Sequence, residues 1–122
     1  MKILLIDDEK DFTDLIGTLL GFHDHQVDAF NDPTQVESAI KSNHYALIVT
    51  DLMMPNLDGF ALVEKIRAQK AYQTIPIIVL SAKILEDDDR KFLLRHHAHF
   101  MVKPFEPIGL VEQINRLLAE TQ

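Results

Sequence analysis

The 122-residue chain has the usual length of one domain and carries a net charge of −7. Its residues are 47% apolar, enough for one buried core, and the absence of cysteine excludes disulfides and thiolate metal sites. The negative charge disfavours nucleic acid binding by this domain, because phosphate backbones attract lysine and arginine. No apolar run approaches the roughly 20 residues of a membrane helix, and Met1 leads into a strand without a signal peptide. We therefore expect a cytoplasmic protein that makes no membrane contact.

Five short runs predict the strands of a sheet. Four of them are apolar and of a length typical of buried strands, and the run from Gln26 to Phe30 is a further short candidate. The predicted strands are 3–6, 26–30, 45–50, 76–80 and 98–102.

Segments of helical period separate these strands. After the first strand, apolar residues at helical spacing predict one buried helix face that ends at Gly21. The residues of this face are Phe12, Leu15, Ile16, Leu19 and Leu20. The pairs Asp32-Pro33 and Asp58-Gly59 are typical starts of the next two helices. The fourth helix is weakly patterned, with the acidic run 86–89 as its first turn, and the last carries apolar residues from Leu110 to Leu118.

The alternation of strands and helices predicts the fold class. Strands separated by helices indicate right-handed βαβ crossovers, and therefore a parallel sheet with helices on both faces. No linker, repeat or low-complexity tract interrupts the pattern. We predict a single α/β domain over residues 1–122, a doubly wound (βα)5 fold.

Polar residues stand at the ends of four predicted strands. Asp7 and Asp8 follow the first strand, Asp51 the third, Ser81 the fourth and Lys103 the fifth. Open parallel sheets bind ligands outside the carboxyl ends of their strands, so these side chains are expected at one edge. Three carboxylates, a hydroxyl and an ammonium indicate a site for a divalent cation and a phosphoryl group.

Four motifs around these strand ends resemble the receiver domain of two-component response regulators. They are Ile-Asp-Asp at 6–8, Asp-Leu-Met-Met-Pro-Asn-Leu-Asp-Gly at 51–59, Ser-Ala at 81–82 and Lys-Pro-Phe at 103–105. Each motif alone is modest evidence, but all four in order at the expected strand ends are highly specific. The resemblance covers the whole chain and implies a five-stranded sheet in the order 2-1-3-4-5.

The resemblance implies a role for each aspartate. Asp51 would accept a phosphoryl group, because a carboxylate can attack phosphorus to form an acyl phosphate. Asp8 and Asp51 would bind Mg²⁺ directly, Asp7 largely through water, and Met53 through its backbone carbonyl, with Mn²⁺ as a substitute ion. The simpler interpretation is that Asp51 caps a turn and that Asp7 or Asp8 caps the first helix, and helix capping is compatible with metal binding.

The same resemblance assigns the residues after the last two strands. Lys103 would stabilise charge on the phosphoryl oxygens, and Ser81 would move towards the phosphoryl group and hydrogen-bond to it. Phe100 would be the aromatic whose rotamer follows that movement, with ordinary strand packing as the alternative. A cis peptide is expected between Lys103 and Pro104.

Two further positions are expected to tune the phosphorylated state. The side chains of Met53 and Lys83 would flank the path of the hydrolytic water, and Met53 orients water poorly, which favours slow dephosphorylation. A turn that usually holds Gly-Ala in this family contains His96 and His97 here, followed by His99. These histidines suit either Zn²⁺ binding or pH sensing, or they are solvated loop residues.

These residues predict a signalling domain that promotes only its own phosphorylation and dephosphorylation. Its partners would be a sensor histidine kinase or a histidine phosphotransfer protein, and a downstream effector or a second copy of the chain. The fourth helix, fifth strand and fifth helix would form the output surface. Phe12, Ile16 and Pro104 would lie near the kinase contact.

Three alternatives belong to other functional classes. A receiver-like scaffold would never be phosphorylated, but the complete set of Asp8, Asp51, Ser81 and Lys103 argues against it. A phosphatase of the haloacid dehalogenase type needs an Asp-x-Asp motif after the first strand, which Asp7-Asp8 does not provide, and usually a cap domain. A flavodoxin-like flavin binder needs a hydroxyl-rich phosphate loop after the first strand, and no such loop follows that strand here.

Overall fold

Five strands and five helices alternate in the computed structural model, which describes residues 1–54, 57–103 and 105–120. The strands are β1 (Lys2–Ile6), β2 (Gln26–Phe30), β3 (Leu47–Asp51), β4 (Ile77–Ser81) and β5 (Ala98–Val102). The helices are α1 (Lys10–Gly21), α2 (Val36–Ser42), α3 (Gly59–Ala68), α4 (Asp87–Arg95) and α5 (Pro107–Glu120). All five predicted strands are confirmed, with bounds that differ by up to two residues.

The strands form one parallel sheet in the order β2-β1-β3-β4-β5. This is the order that the family resemblance implied, and the predicted α/β class is confirmed. A short antiparallel ribbon, Met53–Met54 paired with Leu57–Asp58, follows β3 and was not predicted. No helix in the described parts of the chain is long and apolar enough to cross a membrane.

Each strand of the sheet divides its residues between two cores, because successive side chains point to opposite faces. In β1, Leu4 and Ile6 face α2, α3 and α4, whereas Ile3 and Leu5 face α1 and α5. The three central strands are therefore apolar on both faces, which explains their continuous apolar runs. β5 is an edge strand, and Val102 is 42% exposed, so the prediction that this run is fully buried is wrong.

The buried face of α1 differs from its predicted face at two residues. Leu15 is 46% exposed, whereas Thr13 is buried. Thr13 can be buried because its hydroxyl donates to the carbonyl of Lys10 and accepts from Asn31 Nδ2. Ile16 has no exposed surface and packs in the core with α5, so its side chain is not accessible to a partner at the kinase contact predicted near it.

The predicted helix starts are supported by capping hydrogen bonds. The Asp58 carboxylate accepts from the backbone N–H of Phe60 at 2.9 Å and begins α3. Asp32 accepts from the N–H of Thr34, at a short 3-10 turn that leads into α2. Glu86 and Asp89 form a reciprocal capping box at α4, which confirms the acidic run as a helix start.

Gly59 makes the closest backbone approach beside the site. A Cβ atom at this position would lie 2.5 Å from the carbonyl oxygen of Leu52 and 2.6 Å from its Cα. The N–H of Gly59 donates to the same carbonyl at 3.0 Å. Helix α3 can therefore start directly against the segment that follows Asp51 only because residue 59 has no side chain.

Candidate functional site

The parallel register brings the predicted site residues to one edge of the sheet. Ile6 pairs with Thr50, which places Asp7 level with Asp51, and Ser81 pairs with Val102, directly before Lys103. Backbone hydrogen bonds continue past the strand ends, from Leu52 N to Leu80 O and from Lys103 N to Ser81 O, both at 2.7 Å. The carboxyl ends of four neighbouring strands thus define the site.

Three aspartates gather at this edge. One carboxylate oxygen from each of Asp7, Asp8 and Asp51 lies within 4.8 Å of the others. Asp7 is fully buried, Asp51 is nearly so and Asp8 is exposed, so the cluster opens to solvent on the Asp8 side. Hard oxygen ligands with an open side suit Mg²⁺, which keeps several of its waters. The residues present therefore fit the ion that the sequence predicted.

Local hydrogen bonds hold Asp7 in place. One of its carboxylate oxygens accepts from the N–H of Glu9 at 2.9 Å, and its backbone carbonyl accepts from Asn31 Nδ2 at 2.8 Å. Asn31 was not singled out from the sequence, because an asparagine after a short edge strand carries no motif. It fixes the backbone at the end of β1, beside the aspartate cluster, from the neighbouring strand end.

Lys103 lies among the carboxylates. Its Nζ donates to Asp7 Oδ2 at 2.9 Å and to Asp51 Oδ2 at 3.3 Å, and it lies 3.7 Å from Glu9 Oε1. Glu9 was not predicted as a neighbour of this lysine. The ammonium thus compensates part of the negative charge of the cluster and stands within hydrogen-bonding distance of the predicted phosphoryl acceptor.

Burial and charge act against each other at this ion pair. Burial raises the pKa of the Asp51 carboxyl above its usual range, the Lys103 charge opposes the rise and the Asp7 charge adds to it. Burial alone would lower the pKa of Lys103, but its hydrogen bond to Asp7 and the charges of Asp51 and Asp7 outweigh burial and raise the pKa. In the absence of a metal ion, the site therefore favours the charged form of Lys103 and disfavours the charged form of Asp51.

Asp51→Asn is expected to raise the thermal unfolding midpoint at pH 7 in buffer that contains a chelator. Because folding raises the pKa of Asp51, the stability due to this group is complete below its ordinary pKa of 3.8 and is lost as pH rises through the folded-state pKa. Asparagine stays neutral throughout, so the gain should shrink as pH falls towards about 4. Melting curves of the parent, Asp51→Asn and the exposed control Asp11→Asn across this range measure the effect. An equal gain at both ends of the range would contradict it.

Ser81 is fully buried and its hydroxyl has local partners. Oγ donates to the carbonyl of Lys83 at 3.0 Å and accepts from the N–H of Lys83 at 3.1 Å. Any movement of this hydroxyl towards a phosphoryl group would exchange these bonds and release the backbone of the loop that precedes α4.

Phe100 is half-buried against the core that includes α3 and α4. The Arg90 guanidinium lies 5.6 Å from the centroid of its ring, a cation–π distance. The aromatic of β5 is therefore covered by a residue of α4, an arrangement that the sequence pattern could not indicate.

The two residues predicted to tune lifetime differ in their surroundings. Met53 is 62% exposed, and its N–H donates to Asp51 Oδ1 at 3.3 Å. Lys83 is also exposed, and its ammonium lies 4.0 Å from Asp89 Oδ2 on α4. Their effect on hydrolysis stays a prediction. The predicted cis peptide and the predicted kinase contact at Pro104 both lie outside the described residues.

His96 and His97 stand at a strained turn between α4 and β5, and His99 lies within β5. His97 has a φ of 53°, in the left-handed region that favours glycine, whereas His96, the position where the family usually has glycine, has a φ of −94°. The Arg67 guanidinium donates to the carbonyls of His96 and His97, and also to those of Tyr72 and Ile75. Arg67 thus ties this turn to the end of α3 and the start of β4.

The histidines do not form a metal site within the described part of the chain. Among those residues, three side chains of types that can bind a metal converge at the aspartate cluster, and this cluster includes no histidine. The ring of His96 packs on Phe92 at 4.4 Å between centroids. The described geometry therefore gives no support to the Zn²⁺ hypothesis for His96, His97 and His99.

Comparison with known proteins agrees with this arrangement. The sequence matches the response regulator receiver domain family over residues 3–115. It is 32% identical to the regulatory protein VanRc of Enterococcus gallinarum over 121 residues, which cover 99% of this chain and 51% of VanRc. The chain thus spans about half the length of that relative.

Solved structures give the same result. The receiver domain of the Francisella response regulator 1452 is 30% identical with a TM-score of 0.86, over 99% of this chain and 98% of that one. A two-component response regulator from Clostridium difficile is 26% identical with a TM-score of 0.87, over 100% of this chain and 98% of that one. The chain belongs to the response regulator receiver domains, the signalling domains of two-component systems.

Proposed function

We propose that the chain is a phosphorylation-activated switch in which Asp51 accepts a phosphoryl group with the help of Mg²⁺. The observation that carries the proposal is the position of the Lys103 ammonium, hydrogen-bonded to both Asp7 and Asp51 within the aspartate cluster. Phosphoryl transfer depends mainly on positioning and on charge stabilisation, and this cluster offers an acceptor and a fixed cation side by side.

The proposed reaction transfers a phosphoryl group from a nitrogen or oxygen atom of the donor to a carboxylate oxygen of Asp51. An Asp51 carboxylate oxygen attacks phosphorus, the bond from phosphorus to the donor breaks, and the donor leaves with the electron pair. The donor is a phosphohistidine of a kinase or phosphotransfer protein, or a small acyl phosphate. In the separate hydrolysis step, a water oxygen attacks phosphorus, the bond from phosphorus to the Asp51 oxygen breaks, the electron pair stays on the carboxylate, and inorganic phosphate leaves with both protons of the water. Lys103 stabilises the negative charge on the phosphoryl oxygens throughout.

The metal would be held by residues that are already gathered. Asp8 and Asp51 would bind Mg²⁺ directly, Asp7 largely through water and Met53 through its carbonyl, and Mn²⁺ would substitute. When bound, the ion neutralises charge on the carboxylates and on the phosphoryl oxygens. The fully buried Asp7 stays paired with Lys103, so the ammonium remains at the site.

Phosphorylation would change the surface through Ser81 and Phe100. The Ser81 hydroxyl would leave Lys83 for a phosphoryl oxygen, and Phe100 would respond by moving relative to α4. The output surface would be formed by α4, β5 and α5. Leu94, Val102 and Ile108, one from each of these elements, are exposed, as expected of a surface that binds a partner.

The proposed partners follow from the family. A sensor histidine kinase or phosphotransfer protein would bind near α1, where Phe12 rather than the buried Ile16 is available. The output partner would be an effector protein or domain, or a second copy of the chain, without direct nucleic acid or membrane binding by this domain. We further propose that residues 1–122 form one receiver domain that works in the cytoplasm. This domain would promote only its own phosphorylation and dephosphorylation.

Intact mass spectrometry after incubation with Mg²⁺ and a small acyl phosphate tests this function. The parent is expected to gain one phosphoryl group, and Asp51→Asn none, because the variant lacks the carboxylate that is proposed to attack phosphorus. Asp58→Asn is a matched control at an exposed helix cap outside the cluster and should be phosphorylated like the parent. A parent that gains no mass would favour an unphosphorylated scaffold, and sustained turnover of a phosphate ester would favour a phosphatase.

Met53→Asn is expected to shorten the lifetime of the phosphorylated state. An amide beside the phosphoryl group can orient the hydrolytic water by hydrogen bonding, which the methionine thioether does poorly. The rate is measured as the decay of the phosphorylated mass after the acyl phosphate is removed. Met54→Leu, a change at a buried neighbour, controls for effects on the ribbon. Equal or slower decay in Met53→Asn would contradict the role of Met53.

A further inference from the structure

An aromatic side chain of α1 lies against the lysine of the site. The Phe12 ring centroid is 5.1 Å from Lys103 Nζ, and Phe12 is half-buried. The Phe105 ring packs edge-on against Phe12, with centroids 5.9 Å apart and an interplanar angle of 81°. The ammonium is therefore in contact with a ring face as well as with its carboxylate partners.

Lysine needs such a contact more than arginine would. Its ammonium is a compact point charge on a flexible four-carbon stem, so its hydrogen bonds fix a distance but little of its direction. When Asp51 takes a phosphoryl group, Lys103 has to exchange the Asp51 oxygen for a phosphoryl oxygen. A ring face attracts the cation without fixing a single direction, so the ammonium can make this exchange and stay at the site.

We propose that Phe12 is a positioning residue for Lys103, whose ring face holds the ammonium where it meets the phosphoryl oxygens, and that Phe105 holds the ring. The inference rests on the proposed function, because it concerns the reaction at Asp51. Phe12 thus has a part inside the phosphorylation site that is separate from the kinase contact predicted for it.

A purely structural part for Phe12 makes a different prediction. Phe12 also packs at the margin of the core formed by α1 and α5, where leucine would fill similar space. If Phe12 served only that core, Phe12→Leu would phosphorylate like the parent. Tyrosine keeps the aromatic face and leucine does not, so the two variants separate a cation–π contact from packing.

The test compares initial rates of phosphorylation with Mg²⁺ and a small acyl phosphate, which removes the kinase from the measurement. We expect Phe12→Leu to be roughly three- to tenfold slower and Phe12→Tyr to stay within about twofold of the parent. Phe22→Leu, at a 78% exposed aromatic just beyond the end of α1, should match the parent. A parental rate for Phe12→Leu, or an equally slow Phe12→Tyr, would overturn the inference.

A second readout does not depend on phosphorylation. The ring current of Phe12 should shift the NMR signals of the Lys103 methylene protons nearest Nζ, and Phe12→Leu should abolish that shift. Unchanged signals would overturn the inference even if the rate fell. A parent that takes no phosphoryl group would refute the proposed function alone, and the signals of Phe12→Leu would then decide whether the ring holds the lysine.

Discussion

Lys103→Met is expected to destabilise the protein strongly in the absence of divalent cations. The variant leaves the fully buried Asp7 and the nearly buried Asp51 without their cation. Removing one partner of a buried ion pair costs about 3 kcal/mol or more of unfolding free energy, because a buried charge is left uncompensated. For a domain of this size we expect the melting midpoint to fall by roughly 10 °C.

Magnesium should reverse much of this loss. Without the ammonium, a divalent cation meets less repulsion at the cluster and replaces the lost positive charge, so Mg²⁺ should bind the variant more tightly than the parent. A ligand that binds only the folded state stabilises it in proportion to the logarithm of its excess over Kd. The gain in melting midpoint with Mg²⁺ should therefore be larger for Lys103→Met than for the parent.

Lys10→Met is the matched control for this prediction. Lys10 also pairs with an aspartate at 2.8 Å, Asp14, but both side chains are largely exposed. Exposed pairs contribute little to stability, so its melting midpoint should stay close to that of the parent, with or without Mg²⁺. If Lys103→Met melted like Lys10→Met in the presence of a chelator, the ammonium would have no part in compensating the buried carboxylates.

Gly59→Ala is the second change with a large expected effect. The added Cβ would lie 2.5 Å from a backbone carbonyl oxygen, so relief requires the backbone of α3 or of Leu52 to move. We expect a loss towards the upper end of the about 1–3 kcal/mol that overpacking costs. Because Leu52 follows Asp51, the proposed phosphoryl acceptor and Mg²⁺ ligand, the same movement should also weaken Mg²⁺ binding. Denaturant unfolding and Mg²⁺ titration measure the two effects.

Gly17→Ala provides the opposite expectation for the same substitution. Gly17 lies inside α1, and an added Cβ there would meet no atom within 4 Å apart from its chain neighbours and the backbone of its own helix. Alanine in a helix interior is favoured over glycine by roughly 0.5–1 kcal/mol, so this variant should be slightly more stable than the parent. If both variants changed stability in the same direction, the close approach at Gly59 would not be the cause.

The site could be predicted from the sequence because its residues stand at strand ends. Once the strands are parallel neighbours, the residues after β1, β3, β4 and β5 must meet, whatever the details of packing. Asp7, Asp51, Ser81 and Lys103 therefore needed only the strand pattern to be brought together, and the family resemblance supplied the order of the strands.

The sequence was less informative about contacts that do not follow the period of a helix or a strand. Leu15 and Ile16 both fit a helical stripe, and only the position of α5 decides that Ile16 is buried and Leu15 is exposed. Arg67 binds backbone carbonyls from several segments, and carbonyls have no sequence signature. The contact of Phe12 with Lys103 joins residues far apart in the chain, and no sequence motif includes both of them.

The pairing of Asp7 with Lys103 also has a consequence for synthesis on the ribosome. The two residues are 96 positions apart, so the aspartates are made long before the cation that compensates them. β1 lies in the sheet interior, between β2 and β3, whereas β5, the last strand made, lies at an edge. A nascent chain that lacks β5 would bring its acidic groups together without their lysine, and such non-local contacts form late and slowly. Lys103, the site residue made last, thus supplies the charge that compensates the aspartates at the ends of β1 and β3, which are made first.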